Sequence, residues 1–373
     1  MSQKSILYII NHIDWFWSHR LPLARYARDK GYKVYVAAYG ASQDSELTKN
    51  GFYPVELPSP HSGNALFAMI KIIRRIRTIL TGIDPDITHA ITLKYVFITG
   101  LAALGYRQTK PVFTIAGLGY LFSSEGLKPK LLRFLISPFL KLAFSHPEMS
   151  AIFQNPDDME ILTKRGFVNK NNAFLIKGSG VDTDTFSYAP PPEEQTPVVL
   201  MPTRLVKDKG VNIFADAAGI LKKQGVEARF LIAGGLDNVN PLAYSEKEMN
   251  EIINQGNVEW LGKVKDMPTL YHSACIIAYP SHYREGIPKV LLEAAACGKP
   301  IVTTDHPGCR EVVRHGENGY LVPVKDPEST AKAVRKLLEN QEVQEKFGKK
   351  SRERAEKEFD VNVIVDKTLA VYE

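Results

Sequence analysis

Glu285 and Glu293 stand eight positions apart, with Gly286, Ile287, Pro288 and Lys289 opening the stretch between them. Proline suits the first position of a helix, where its missing N–H would have no partner in any case. The spacing predicts a loop that turns into a helix at Pro288, with Glu285 just outside it and Glu293 along its first two turns. The first-turn N–H groups and the helix dipole favour an anion, and an ionised carboxylate accepts hydrogen bonds from hydroxyl groups. Acids for hydroxyls beside a helix N-terminus for phosphate suggest a sugar nucleotide.

Arg204 and Lys209 follow an apolar run, Val198–Pro202, that reads as a strand. In a doubly wound sheet, ligands bind beyond the carboxyl ends of the strands, so both cations are placed to clamp a diphosphate from two sides. Two cations and a helix N-terminus can offset the charge that gathers on a departing nucleoside diphosphate without a metal. The alternative is a pair of ordinary surface cations. Gly234-Gly235 ends another strand, either to let a ligand approach the backbone or as a plain turn, and Leu261-Gly262-Lys263-Val264 reads as a loop beside a nucleobase. Near the N-terminus, residues 11–20 read as the loop and helix start after the first strand, where His19 and Arg20 can bind an anionic acceptor group, face solvent or cap the helix. Trp15, Phe16 and Trp17 form an apolar knob in that loop, for a membrane interface, a substrate or a neighbouring loop. His89 ends a strand, as a contact to substrate or as a structural residue.

These residues need a scaffold with two sets of strand ends. The 373 residues suit two domains, and 44% hydrophobic and 24% charged residues are ordinary for a globular protein. Short apolar runs alternate with helical patterns twice, as in successive βαβ units. Strands are expected over 5–11, 33–38, 86–90 and 111–115, with helices over 18–30 and 67–81. After a proline- and glutamate-rich linker over 187–197 (Pro190-Pro191-Pro192-Glu193-Glu194), strands are expected over 198–202, 228–233, 258–261, 276–280 and 300–303. Helices are expected there over 209–224, 267–273, 287–297, 327–338 and 341–358. The fold class is thus α/β, two doubly wound Rossmann-like halves facing a central cleft.

The net charge of +6 is uneven: residues 1–178 hold 22 Lys and Arg against 12 Asp and Glu, and the remainder 25 against 29. A basic first half suits an anionic partner, either a membrane surface, a phosphorylated substrate or nucleic acid, or else is a solvated face. The basic residues lack interleaved stacking aromatics, which argues against nucleic acid. Leu127–Phe144 is strongly apolar yet carries Lys128, Lys130, Arg133 and Lys141. That composition fits an interfacial membrane helix, or a core helix kinked or broken at Pro138. No run approaches the roughly 20 apolar residues of a membrane span, so membrane contact is expected to be peripheral. Cys275, Cys297 and Cys309 form no C-x-x-C pair and no Cys/His cluster has zinc spacing, so no metal is expected and the thiols fit a reducing cytosol. No G-x-G-x-x-G opens a helix in the first unit, which argues against a nicotinamide enzyme.

The motifs R-x-x-x-x-K-G at 204–210, L-I-A-G-G at 231–235, Y-x-E-G-I-P-x-x-L-L-E-A-x-A-C-G-K-P at 283–300, G-C-R-E at 308–311 and G-E-N-G at 316–319 together resemble the family 4 retaining glycosyltransferases of the GT-B fold. The resemblance implies that Arg204 and Lys209 hold the donor diphosphate, that Glu285 hydrogen-bonds the donor sugar and Glu293 the ribose, and that amides from Gly286 to Lys289 support sugar and phosphate. It implies an acceptor domain over 1–185, a nucleotide-sugar domain over 186–358, and a C-terminal segment over 359–373 that packs back on the first. His19-Arg20-Leu21-Pro22-Leu23 and Gly117-Leu118-Gly119, followed by the apolar basic helix, resemble bacterial enzymes that extend undecaprenyl-diphosphate-linked sugars, the N-acetylgalactosaminyltransferases among them. The implied donor is a UDP-sugar, needing no cofactor or metal. The implied acceptor is a lipid-diphosphate-linked glycan of O-antigen, capsule or glycoprotein assembly, reached from the cytoplasmic face of the inner membrane. Many relatives carry a His in the loop after the strand near residue 113; Thr114-Ile115-Ala116-Gly117 has none. A sugar-nucleotide hydrolase or epimerase, or a non-catalytic nucleotide-sugar binder, would use the same residues.

Overall fold

A computed structural model describes residues 3–60, 65–119, 122, 126–192, 196–237, 240 and 242–373. Glu193 and Glu194 of the expected linker, and the side chain of Lys128, lie outside the described residues. The chain forms two compact units, one of residues 1–179 with 362–373 and one of residues 180–361. These limits differ by a few residues from the expected boundaries at 185 and 358.

The first unit holds a seven-stranded parallel sheet: β1 (Ser5–His12), β2 (Lys33–Tyr39), β3 (Tyr53–Glu56), β4 (Ile87–Ile91), β5 (Lys110–Ile115), β6 (Ser150–Phe153) and β7 (Ala173–Leu175), in the order β3-β2-β1-β4-β5-β6-β7. The second holds a six-stranded parallel sheet: β8 (Val198–Pro202), β9 (Arg229–Ala233), β10 (Glu259–Trp260), β11 (Ile276–Tyr279), β12 (Ile301–Thr304) and β13 (Gly319–Val322), in the order β10-β9-β8-β11-β12-β13. In both, the order reverses next to the first strand of the unit, which creates a switch point at its carboxyl end. Each unit is therefore a doubly wound Rossmann-like α/β fold, as the alternating pattern implies.

Both faces of the second sheet are covered. Val199, Met201, Ile276 and Ala278 enter one apolar cluster, while Val198, Leu200, Ile277 and Tyr279 enter another. Successive side chains of a strand point to opposite faces, so a doubly buried strand reads as an unbroken apolar run. This is why β8 and β11 stand out in the sequence.

Two expectations near the N-terminus change. The helix expected over 18–30 starts earlier and in two pieces: a helix Ile13–His19 precedes a second helix, Leu21–Asp29. The first helix is capped by His12, whose Nδ1 accepts from the Asp14 amide at 3.3 Å. The aromatic knob is also absorbed: Phe16 is fully buried, Trp17 donates to Asp44 at 2.6 Å, and Trp15 stacks on His19.

The helix Leu127–Ala143 runs unbroken through Pro138. One side is open, with Leu127, Leu131, Phe134, Leu135 and Phe139 each more than half exposed, while Leu140 and Ala143 are buried and Leu140 enters the core of the first unit. Leu66 and Phe67, at the start of the helix Ala65–Ile83, are exposed as well. No helix among the described residues is long and apolar enough to cross a membrane.

Candidate functional site

In the second unit, the segment after β8 is pressed against the segment after β11. A single 3₁₀ turn, Lys207–Lys209, ends at Gly210 with φ of 83°. A Cβ there would lie 2.2 Å from the Pro280 carbonyl oxygen, so only glycine permits this approach. Gly210 also separates the turn from the helix Val211–Lys223, which starts two residues later than the pattern implies. The His282 amide donates to the Asp208 carbonyl at 2.9 Å and closes the contact.

This packing seats Lys209, 3% exposed, against two aromatic rings and one acid. Its Nζ lies 5.6 Å from the Tyr279 ring centre and 4.9 Å from that of Tyr283, and it donates to Glu285. The Tyr279 hydroxyl donates to the same carboxylate oxygen at 3.1 Å. Burial pulls the lysine pKa down, and the Glu285 carboxylate opposes that pull. Arg204 is exposed, and its charge bears on both Lys209 and Tyr283. Arg204, Lys209 and Glu285 therefore share one locality, as a diphosphate clamp beside a sugar-gripping acid requires.

Pro288 is not the first helical residue. Its ψ of 119° keeps it extended, and it serves as N-cap to the helix Lys289–Ala296. Proline fixes φ but leaves ψ free, so the capping position suits it equally. Glu293 is on the second turn of that helix and is 9% exposed. Burial raises its carboxyl pKa; Lys289 at 3.8 Å and the Tyr271 hydroxyl at 3.1 Å counter this. Gly286 and Ile287 lie in the turn before the helix. A Cβ on Gly308 would fall 1.8 Å from the Gly286 carbonyl, so the Gly308-Cys309 turn packs directly on the loop that carries Glu285.

Gly234 is explained by packing. A Cβ there would strike the Thr203 carbonyl at 1.8 Å, and its own carbonyl accepts from Trp260 Nε1 at 2.8 Å. Gly235 stands beside Lys263, in ordinary contact with that side chain. The pair thus ties the ends of β8, β9 and β10 together at the edge where ligands bind in such sheets.

Two histidines escaped the sequence reading. His282 lies just beyond β11 and His306 just beyond β12. His282 Nε2 is 3.4 Å from the Asp208 carboxylate, and the Nδ1 atom of each ring is buried without a partner. Burial lowers both pKa values, and Arg284 and Arg310 depress His306 further. The available signal was their position two or three residues past a strand end. Among the described residues, no cluster of His, Cys, Asp and Glu has the arrangement of a metal site.

In the first unit the acceptor candidates separate. His89 sits in the middle of β4 and is fully buried. Its Nδ1 lies 2.6 Å from the Tyr372 hydroxyl and its Nε2 2.7 Å from Thr114 Oγ1. This corrects its expected place at the end of the strand: β4 runs two residues past it, Nδ1 joins the helix Val361–Tyr372 to the sheet, and Nε2 links β4 to β5. Arg20 is 6% exposed, its Nε is buried without an acceptor, and no described carboxylate lies within ion-pair distance. A guanidinium buried without a counter-charge is costly, and a bound anion would relieve it. His19 is half-buried, its Nδ1 2.6 Å from the Ser18 hydroxyl. Gly117 and Gly119, with φ of 104° and 56°, shape the turn after β5.

Two sequence families match the chain. The glycosyl transferases group 1 family matches residues 182–354, and the glycosyl transferase 4-like family matches residues 5–154. The chain is 27% identical over 366 residues to the N,N'-diacetylbacillosaminyl-diphospho-undecaprenol alpha-1,3-N-acetylgalactosaminyltransferase of Campylobacter jejuni, covering 95% of this chain and 94% of that one. It is 24% identical to the capsular polysaccharide biosynthesis glycosyltransferase CapM of Staphylococcus aureus, covering 83% and 82%. The crystal structure of a Rickettsia africae glycosyltransferase aligns over 100% of this chain and 98% of its own, with a TM-score of 0.78 at 18% identity. That of Anabaena HepE in complex with UDP and glucose aligns over 99% of both chains, with a TM-score of 0.77 at 18% identity.

Proposed function

Because the chain is a glycosyltransferase of the GT-B fold, group 1 in its second unit and 4-like in its first, we propose that it moves a sugar from a UDP-sugar to a polyprenyl-diphosphate-linked glycan, with retention of configuration. The sugar is an N-acetylhexosamine or a hexose, and the product is a bacterial O-antigen, capsule or glycoprotein glycan. The observation that carries this reading is the buried Lys209 held by Glu285 beside Arg204. The likeness to the Campylobacter enzyme along nearly the whole chain supports the acceptor class.

Arg204 and Lys209 neutralise the diphosphate as it departs, and the first turn of the helix Lys289–Ala296 adds its dipole. Glu285 accepts from a hydroxyl of the donor sugar, and Glu293 from the ribose. Backbone groups of Gly286, Ile287, Pro288 and Lys289 line sugar and phosphate, and Gly234 and Gly235 keep the neighbouring strand ends free of side chains. The acceptor hydroxyl attacks on the face the diphosphate leaves, and the departing phosphate oxygen takes its proton. In the first unit, Arg20 meets the acceptor diphosphate, with His19 and the Gly117–Gly119 turn beside it. The exposed apolar residues of 127–143 rest on the inner face of the cytoplasmic membrane, which makes the enzyme a peripheral one. No metal or cofactor enters the scheme.

The test is a screen of UDP- and GDP-sugars for nucleoside diphosphate release, with and without a polyprenyl-diphosphate-sugar, in EDTA. Release that requires both a UDP-sugar and the lipid acceptor, with an axial-for-axial product by NMR, is the expected result. Equal release without acceptor would assign a hydrolase instead.

A further inference from the structure

At the carboxyl ends of β1, β2 and β3 the first unit opens a polar cavity of about 480 Å3, lined by His12, Tyr39, Gln43, Asp44 and Glu56 among others. The three strands are parallel neighbours, so their ends share the sheet edge at which doubly wound folds hold ligands. The volume lies within the roughly 300–1,000 Å3 of small-molecule sites.

The walls are held by bonds of their own. The Glu56 carboxylate accepts from the Gly40 and Ser42 amides at 2.9 and 2.8 Å and from the Ser42 hydroxyl at 2.8 Å. Burial alone would raise its pKa, but these bonds outweigh burial and keep the acid below its ordinary value. Asp44 accepts from Trp17 Nε1 at 2.6 Å and from the Glu46 amide at 2.9 Å. Gly40, with φ of 84°, makes the turn between Tyr39 and these acids.

What the cavity leaves unused is more informative. Tyr39 is 38% exposed, its ring edge-on to His12 at 5.7 Å. Among the described residues, the Tyr39 hydroxyl, the Gln43 amide and His12 Nε2 make no hydrogen bond. An open aromatic face gives dispersion contact to a C–H-rich ring, and the flanking amide, imidazole and carboxylates match hydroxyl and acetamido groups. Two acids in one pocket disfavour phosphate, whereas Arg20 lacks a counter-charge. We propose that this cavity binds a neutral sugar residue of the acceptor glycan, apart from its diphosphate; the identity of that sugar as an acceptor rests on the transferase reading above.

Saturation-transfer NMR on the full chain tests it, with free N-acetylglucosamine, N-acetylgalactosamine, glucose and galactose as probes and inorganic phosphate as competitor. At least one sugar is expected to bind. Tyr39→Ala and Gln43→Ala, both at exposed positions, should each weaken it about tenfold, and phosphate should not displace it. Absence of binding by every sugar, equal binding in both variants, or displacement by phosphate would overturn the assignment. The transferase reading fails separately, when no nucleotide sugar yields product with a lipid acceptor. Transfer with an acceptor KM unmoved in both variants would remove the cavity and leave the enzyme standing.

Discussion

Lys209 and Glu285, 76 positions apart, form an ion pair in which the cation is hidden and the acid is open: the side chains are 4% and 20% exposed. Both bonds that Glu285 accepts, from Lys209 and from Tyr279, fall on Oε1. The lysine thus fixes the carboxylate by one oxygen and leaves Oε2 for a ligand hydroxyl. The pair joins the segment after β8 to the segment after β11, so neither partner can shift without moving the other.

Glu285→Gln keeps the shape and removes the charge. Turnover should fall on the order of 10²–10³-fold, the cost of losing one preorganised polar group at a reacting centre. Its unfolding free energy should drop by about 3 kcal/mol, because Lys209 is left buried without a counter-charge. Combining it with Lys209→Met should restore most of the stability and none of the activity. Steady-state kinetics and urea unfolding on the three variants decide this; wild-type turnover in Glu285→Gln would refute its role.

Arg204 is exposed, so its removal should cost stability no more than about 0.5 kcal/mol. Arg204→Ala should nevertheless weaken donor binding by about tenfold or more, the loss of one charge-assisted contact to a diphosphate. Arg204→Lys should recover only part of that, because a point charge lacks the guanidinium fork. Calorimetric titration with UDP and with uridine separates the two effects: the loss should appear with UDP alone.

The legible parts were those where one residue type answers to one physical demand. β8 and β11 show as unbroken apolar runs because both faces are covered, and the Glu285–Glu293 stretch marks its helix by Pro288 and the apolar residues after it. β3, β6, β7 and β13 did not show. β3 is Tyr-Pro-Val-Glu at the sheet edge, half-exposed and with a proline, a poor match to any strand pattern. β13 begins at Gly319, which is there because a Cβ would meet the Ile301 carbonyl at 2.0 Å, a demand visible only once β12 is in place. The same holds for His89. Its imidazole is fixed by Tyr372, 283 positions away, and no local pattern announces such a partner.

His89 gives a pH signature. Burial drives its pKa well below the ordinary value, and the nearby Arg20 pushes the same way. A depressed folded-state value means the native protein disfavours the proton that the unfolded chain accepts. Its contribution to stability is complete above about pH 6.5 and is lost as pH falls below that. The slope can reach about 1.4 kcal/mol per pH unit for this single group. His89→Gln should flatten the loss of melting temperature between pH 6.5 and 5. An unchanged slope in that variant would assign the acid sensitivity to other groups.

Lys299 is fully buried, and its Nζ donates to the carbonyls of Ala189, Pro190 and His272 at 3.1, 3.4 and 3.2 Å. Burial pulls its pKa down to about 8. No carboxylate is within ion-pair reach among the described residues, so three carbonyl oxygens satisfy the three hydrogens of the ammonium. Lys299→Met fills the space but strands those acceptors, at about 1–3 kcal/mol for the first left unsatisfied. Urea unfolding should report that loss, while donor affinity stays near wild type because the residue lies apart from Arg204, Lys209 and Glu285.

The helix Leu127–Ala143 sets its own test, because it exposes what a globular surface hides. Phe134 and Leu135 are 75% and 57% exposed, and Lys130, Arg133 and Lys141 share the helix with them. Such a helix binds an interface by apolar burial together with attraction to anionic headgroups, near 1 kcal/mol for each basic residue at the surface. Phe134→Glu with Leu135→Glu should abolish sedimentation with vesicles containing phosphatidylglycerol, and leave the melting temperature unchanged because neither side chain packs in the core. Wild-type binding should weaken as salt rises and the Debye length shrinks. Turnover on a water-soluble short-chain acceptor should survive in the double variant, while turnover on a long polyprenyl acceptor in vesicles falls. Equal loss on both acceptors would place these residues in substrate contact and not at the membrane.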